Sequence, residues 1–159
     1  MKATRENPIL YIVIPCYNEQ EVLPITSKLF LKKITDLVAA GKISDDSRVL
    51  FVNDGSKDKT WQLIKEAHEQ ESLCAGLDLT RNRGHQNALL AGLMSAMPYA
   101  DITVSMDADL QDDIAVIDAI VIQCRNDASH RGLPFAAVHN TDYLGNGNTC
   151  EHGNTGLSA

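Results

Sequence analysis

Two carboxylates, Asp107 and Asp109, stand two residues apart in the segment 105–113, which reads Ser-Met-Asp-Ala-Asp-Leu-Gln-Asp-Asp. Side chains at that spacing share one side of a strand, and in the turn after a strand they can converge on one ion. Carboxylate oxygens suit hard cations such as Mg²⁺ or Mn²⁺, and these cations suit phosphates. The same acids would also serve as a solvated loop ahead of a helix starting near Ile114, where the helix dipole favours negative charge. Asp-x-Asp alone does not separate the two readings.

Other segments carry groups of similar use. The loop from Arg81 to Gln86 holds Arg81, Arg83 and His85 close to a helix start, an arrangement able to meet phosphate or simply to lie in solvent. Tyr17 offers a flat ring with a polar tip, suited to a base or ribose, or to core filling. Glu19 suits a ribose hydroxyl or a helix start. Asp54, in an Asp-Gly-Ser turn, is an acceptor for the N–H of a uracil ring or for its own turn backbone. Trp61 and the methionines read as core.

These groups need a scaffold, and the apolar pattern supplies one. Ile9 to Ile14 is a continuous run ended by Pro15, the mark of a strand buried on both faces. A helix is expected from about Glu19 to Val22 onward, with Pro24 in its first turn and Leu29, Ile34, Leu37 and Val38 at helical spacing as far as Gly41. Further strands are expected at Arg48–Asn53, Ala75–Leu79 and Ile102–Met106. Further helices are expected after Asp58 or Thr60, over Asn87–Met97, and from Ile114 to about Cys124. Trp61, Ile64 and His68 fall on one helical face. The alternation predicts an α/β fold with a mostly parallel sheet and helices on both faces. The clusters around Asn18, Asp54, Asn82 and Asp107 would then share the carboxyl edge of the sheet, where such folds bind ligands. From Asn126 to Ala159 no amphipathic period appears, and the one short apolar stretch is Phe135 to Val138, so a poorly ordered tail is expected.

Composition narrows the partners. At 159 residues and 44% hydrophobic content the chain fits one domain or part of a larger one. A formal charge of −7 argues against a nucleic-acid partner. No apolar run approaches the roughly 18 residues of a membrane span, and the polar start, Met1 to Pro8, does not read as a signal peptide, so a cytoplasmic location is expected. Cys16, Cys74, Cys124 and Cys150 form no Cys-x-x-Cys pair and suggest neither zinc nor redox chemistry.

Taken in order, Pro15-Cys16-Tyr17-Asn18-Glu19, Val52-Asn53-Asp54-Gly55-Ser56 and Asp107-Ala108-Asp109-Leu110-Gln111 resemble the nucleotide-sugar-binding half of a family 2 glycosyltransferase of the GT-A fold. Leu79 to Leu89 is similar to the polyprenyl-phosphate branch, which includes dolichol-phosphate mannose synthases and bactoprenol glucosyltransferases. The resemblance spans Ile9 to about Asp118. It implies a nucleotide-sugar site of Pro15, Tyr17, Asn18, Glu19, Asp54, Arg81, Gly84, His85, Asp107 and Ala108. It also implies Mg²⁺ or Mn²⁺ held by Asp107, Asp109 and Gln111. The implied reaction is transfer from a nucleotide donor, UDP-linked in the first instance, with inversion, to a polyprenyl phosphate or another glycan acceptor. A phosphate acceptor is already anionic, so no catalytic base is assigned.

Arg83 stands where the family often has an aromatic residue, and Asp113-Ile114 where Pro is frequent. Family catalytic domains continue well past the Asp-x-Asp motif, whereas residues 125–159 match nothing in the resemblance. The expectation is therefore a nucleotide-sugar-binding part over residues 1–124 and a GT-A sheet incomplete at its C-terminal side. Its exposed edge would invite a second copy. Full-length relatives are expected at the inner face of a membrane. The alternative is a nucleotide-binding module without transfer activity. A phosphohydrolase with an Asp-x-Asp nucleophile is disfavoured, since its motif follows the first strand, where this chain has Pro-Cys-Tyr-Asn.

Overall fold

A computed structural model describes residues 7–109 and 113–126, together with the backbone of residues 136–139. Among the described residues nine elements alternate: β1 (Leu10–Cys16), α1 (Leu23–Ala39), β2 (Arg48–Asn53), α2 (Thr60–Gln70), β3 (Cys74–Asp78), α3 (His85–Ala96), β4 (Ile102–Ser105), α4 (Val116–Asn126) and β5 (Ala136–His139). The strands form one sheet in the order β3-β2-β1-β4-β5, and each neighbouring pair is parallel. The apolar runs at β1, β2 and β4 are buried along almost their whole length, as strands covered on both faces must be.

Alternation along the strands divides the core in two. Ile12, Ile14, Val49, Phe51, Ile102 and Val104 face one side and pack with Phe30, Ile34 and Leu37 of α1, Ile64 of α2 and Ile117, Ile120 and Val121 of α4. Val13, Leu50 and Val52 face the other side and meet Ala88 and Ala96 of α3. The small residues along α3 let it lie close: a Cβ on Gly92 would fall 2.5 Å from Val13 Cγ1. Helices thus cover both faces, as the alternating pattern requires.

β1 runs two residues past its expected end and includes Pro15, which is buried and pairs with Val52. A proline in a central strand is unusual because it lacks an N–H for the ladder. Odd-numbered residues of β1 bond toward β4, as the Met106 N–H does to the Val13 carbonyl, and even ones toward β2, as the Asp54 N–H does to the Cys16 carbonyl. Pro15 therefore lacks its donor on the β4 side, beyond the last residue of β4, where the ladder has ended.

Several boundaries shift for local reasons. Residues 19–22 make a turn closed by the Leu23 N–H on the Glu19 carbonyl, and α1 starts only at Leu23. α3 starts at His85, two residues earlier than expected, because Gly84, at φ +89°, makes the break itself. The larger difference is β5. Ala136–His139 pairs with β4 inside the stretch expected to lack regular structure, with Val104 opposite Val138.

Candidate functional site

Because the strands are parallel, the loops after β1, β2, β3 and β4 leave the same edge, and polar contacts join them. The loop after β1 is zipped to the loop after β2 by five hydrogen bonds. Backbone N–H groups of Asn18, Glu19 and Gln20 donate to Ser56 Oγ, Thr60 Oγ1 and Asp58 Oδ2 at 3.0, 2.9 and 3.2 Å. In return, the N–H groups of Lys57 and Lys59 donate to Asn18 Oδ1 and Gln20 Oε1 at 2.9 and 3.2 Å. Asn18 reaches this geometry with φ +52°, a region that Asn tolerates better than most residues.

The loop after β3 is fixed to the end of β2. Asp54 is buried, and its Oδ1 accepts the backbone N–H of Arg83 at 2.6 Å. Its partner is thus the loop after β3 rather than its own turn. Asn53 Nδ2 donates to Asp78 Oδ1 at 2.7 Å, and the Leu79 N–H reaches the Asn53 carbonyl at 2.9 Å. Gly55, at φ +65°, lies directly against this loop, so that a Cβ there would come 2.3 Å from the Asn82 nitrogen and 2.5 Å from the Arg81 carbonyl carbon. Its glycine is required twice, by the backbone angle and by the close approach.

Asp107 and Asp109 follow β4 and lie on its solvent side, while Ala108 between them is buried. His85, the first residue of α3, sets its Nε2 3.7 Å from Asp107 Oδ1, with both side chains half exposed. Glu19 completes the acidic group. Burial raises its carboxyl above the usual range, and the charges of Asp109, Asp58 and Asp107 raise it further. Asp58 behaves oppositely. Burial pushes it up, but the hydroxyl and N–H of Thr60 and the N–H of Gln20 outweigh that and hold it low.

The structure thus brings together Glu19, Asp54, His85, Asp107 and Asp109, with Arg81 and Tyr17 exposed at the rim. Pro15 is buried within β1. Gln111 lies outside the described residues. Among those described, no group of three or more His, Cys, Asp or Glu side chains is arranged to hold a metal. What they provide is a pair of hard oxygen donors whose negative field reaches Glu19, and this chemistry fits a hard dication. Cys16 and Cys74 are buried in the core. Burial raises Cys74 to about 11 and Cys16 higher still, so both remain protonated.

Sequence reasoning passed over several positioning residues. Ser56, Asp58 and Thr60 read as turn and cap residues, Gly55 as part of a turn. Thr26 has no signal at all, because it sits within a helical pattern. It is fully buried, and its Oγ1 lies 2.8 Å from the Ala108 carbonyl and 3.1 Å from that of Val22.

The family model for glycosyl transferase family 2 matches residues 11–123. The chain belongs to that family. It is 49% identical over 113 residues to an uncharacterized glycosyltransferase, YkoT, of Bacillus subtilis, a match that covers 71% of this chain and 34% of the relative. It is 36% identical over 110 residues to a prophage bactoprenol glucosyl transferase homolog of Escherichia coli, covering 69% of this chain and 33% of the relative. Among solved structures it resembles a mannosyltransferase of Pyrobaculum calidifontis in complex with GDP-Man and Mn²⁺. The TM-score is 0.54 at 22% identity, over 77% of this chain and 33% of that one, and this likeness bears on the fold alone. The architecture is GT-A. The family 2 chain described here spans about a third of the length of these curated relatives. No helix among the described residues is long and apolar enough to cross a membrane.

Proposed function

We propose that residues 1–124 form the donor half of an inverting glycosyltransferase that takes a sugar from a nucleotide donor, UDP-linked in the first instance, and delivers it to a polyprenyl phosphate. The observation that carries this reading is the meeting, at one sheet edge, of Asp107 and Asp109 with His85 and Glu19. The two carboxylates, with Gln111, would hold Mg²⁺ or Mn²⁺ on the donor diphosphate, where a divalent ion offsets charge growing on the leaving group. Tyr17 and Asp54 would frame the base, Glu19 the ribose, and Arg81 and His85 the phosphates.

The likeness to a bactoprenol glucosyl transferase homolog supports the lipid-phosphate acceptor. Such an acceptor lies at the cytoplasmic face of a membrane, and its anionic oxygen attacks without a strong general base. Isothermal titration of UDP with and without Mn²⁺, on the parent and on Asp109→Ala, tests the donor site. The parent should show Mn²⁺-dependent binding and the variant none. Equal UDP affinity in both sinks the metal assignment. Transfer of labelled sugar from UDP-glucose to undecaprenyl phosphate tests the reaction, and binding without turnover would select a nucleotide-binding module instead.

A further inference from the structure

We infer that Thr26 is a positioning residue for the Asp107–Asp109 pair, acting through the carbonyl that lies between them. The inference rests on the metal-site reading above. A threonine inside a helix ordinarily satisfies its hydroxyl on the carbonyl four residues back, and Thr26 has that partner in Val22 at 3.1 Å. It needs no second acceptor. Yet the Ala108 carbonyl, 82 residues away in sequence, lies closer, at 2.8 Å, in a fully buried contact.

The geometry makes the contact specific to the turn. The Ala108 side chain is 4% exposed and packs into the core that α1 shares with β4. With Ala108 buried and its carbonyl held by α1, the flanking Asp107 and Asp109 are left the more exposed residues of the turn. β4 ends at Ser105, so among the described residues the sheet ladder stops short of this turn. The buried hydroxyl supplies the restraint instead, and two carboxylates meant to share an ion need their separation fixed before the ion arrives.

Thr26→Val keeps the shape and removes the donor, while Thr26→Ser keeps the donor. Three quantities are read on the full chain: Mn²⁺ affinity in the presence of UDP by electron paramagnetic resonance of free Mn²⁺, UDP affinity in EDTA, and hydrogen exchange of the peptide spanning 106–109. Thr26→Val should weaken Mn²⁺ binding about tenfold, leave metal-free UDP affinity within twofold, and speed exchange in that peptide, whereas Thr26→Ser should stay close to the parent. Unchanged Mn²⁺ affinity and exchange in a folded Thr26→Val would overturn the inference, as would Thr26→Ser losing as much as Thr26→Val. A parent without Mn²⁺-dependent UDP binding would fail the metal reading itself. The exchange comparison would then still decide whether Thr26 holds the turn.

Discussion

The backbone nitrogen of Asn82 lies so close over Gly55 that a Cβ on the glycine would come within 2.3 Å of it. Gly41 shares the same φ of +65° but has open space around its absent side chain. Gly41→Ala should therefore cost only the left-handed backbone strain, about 1 kcal/mol. Gly55→Ala adds a clash with backbone that cannot rotate away, and should cost more than ~3 kcal/mol or displace the loop after β3. Chemical denaturation of the two variants measures the difference. Equal losses would show that the close approach can relax freely.

Asp54 holds the loop through the Arg83 N–H, and on the function proposed above it would also receive a base. Asp54→Ala removes both, and its hydrogen exchange around residues 79–84 should rise along with the loss of UDP binding. Asp54→Asn keeps a carbonyl for Arg83 but turns a donor toward the base N–H. It should keep the loop protected and still lose UDP affinity by roughly tenfold or more, as unpaired buried donors do. A fully active Asn variant would assign Asp54 to the scaffold alone.

Stability should fall on the alkaline side. Cys74 is buried and its thiol is raised to about 11, whereas in the unfolded chain it ionises near its ordinary value. Between those two values the folded state holds a proton that the unfolded state has released, so stability drops as pH rises through that interval. The contribution from Cys74 is about 2–3 kcal/mol across it. Cys74→Ala should be less stable at neutral pH yet lose less between pH 8.5 and 10.5. Parallel slopes for parent and variant would assign the alkaline loss to other groups.

Glu19 should respond to charge in the opposite way to a stabilising acid. Its carboxyl is raised first by burial and then by Asp109, Asp58 and Asp107, so its ionised form is disfavoured in the fold. As pH rises above the unfolded value this lowers stability, and Glu19→Gln should melt slightly higher than the parent at pH 7 without divalent ions, the gain kept small by solvent screening of a partly exposed carboxylate. Saturating Mn²⁺ should cancel or reverse that advantage. A lower melting point for the variant in EDTA would contradict the repulsion.

Much of this architecture could be read from residues because the buried strands announce themselves. Arg48–Asn53 falls where its apolar run predicts, and Trp61, Ile64 and His68 do form the face that α2 turns to β3, with His68 Nδ1 2.6 Å from the Cys74 carbonyl. β5 is not expected from the sequence, because the short apolar stretch Phe135 to Val138 with its two alanines is too weak a strand signal by itself; its strand shows in the pairing with β4. The carboxylates of the site stood out by type and spacing. The groups that hold them did not. Thr26 to Ala108, Asp54 to Arg83 and Asn18 to Ser56 are contacts between segments distant in sequence, and nothing local in a threonine or a serine marks it for such a partner.

The central place of β1 also sets a timetable for synthesis. Its one side is occupied as soon as β2 is made, but the other waits for β4, and the Ile9 N–H that meets Asp101 must wait across 92 residues. At ribosomal rates of about 5–20 residues per second, the first strand leaves the exit tunnel some 5–20 seconds before its second neighbour does. Through that interval one edge of β1 leaves its backbone N–H and carbonyl groups unpaired and open to other chains. On the function proposed above, capacity to hold a nucleotide should therefore appear abruptly, late in elongation, rather than accumulate strand by strand.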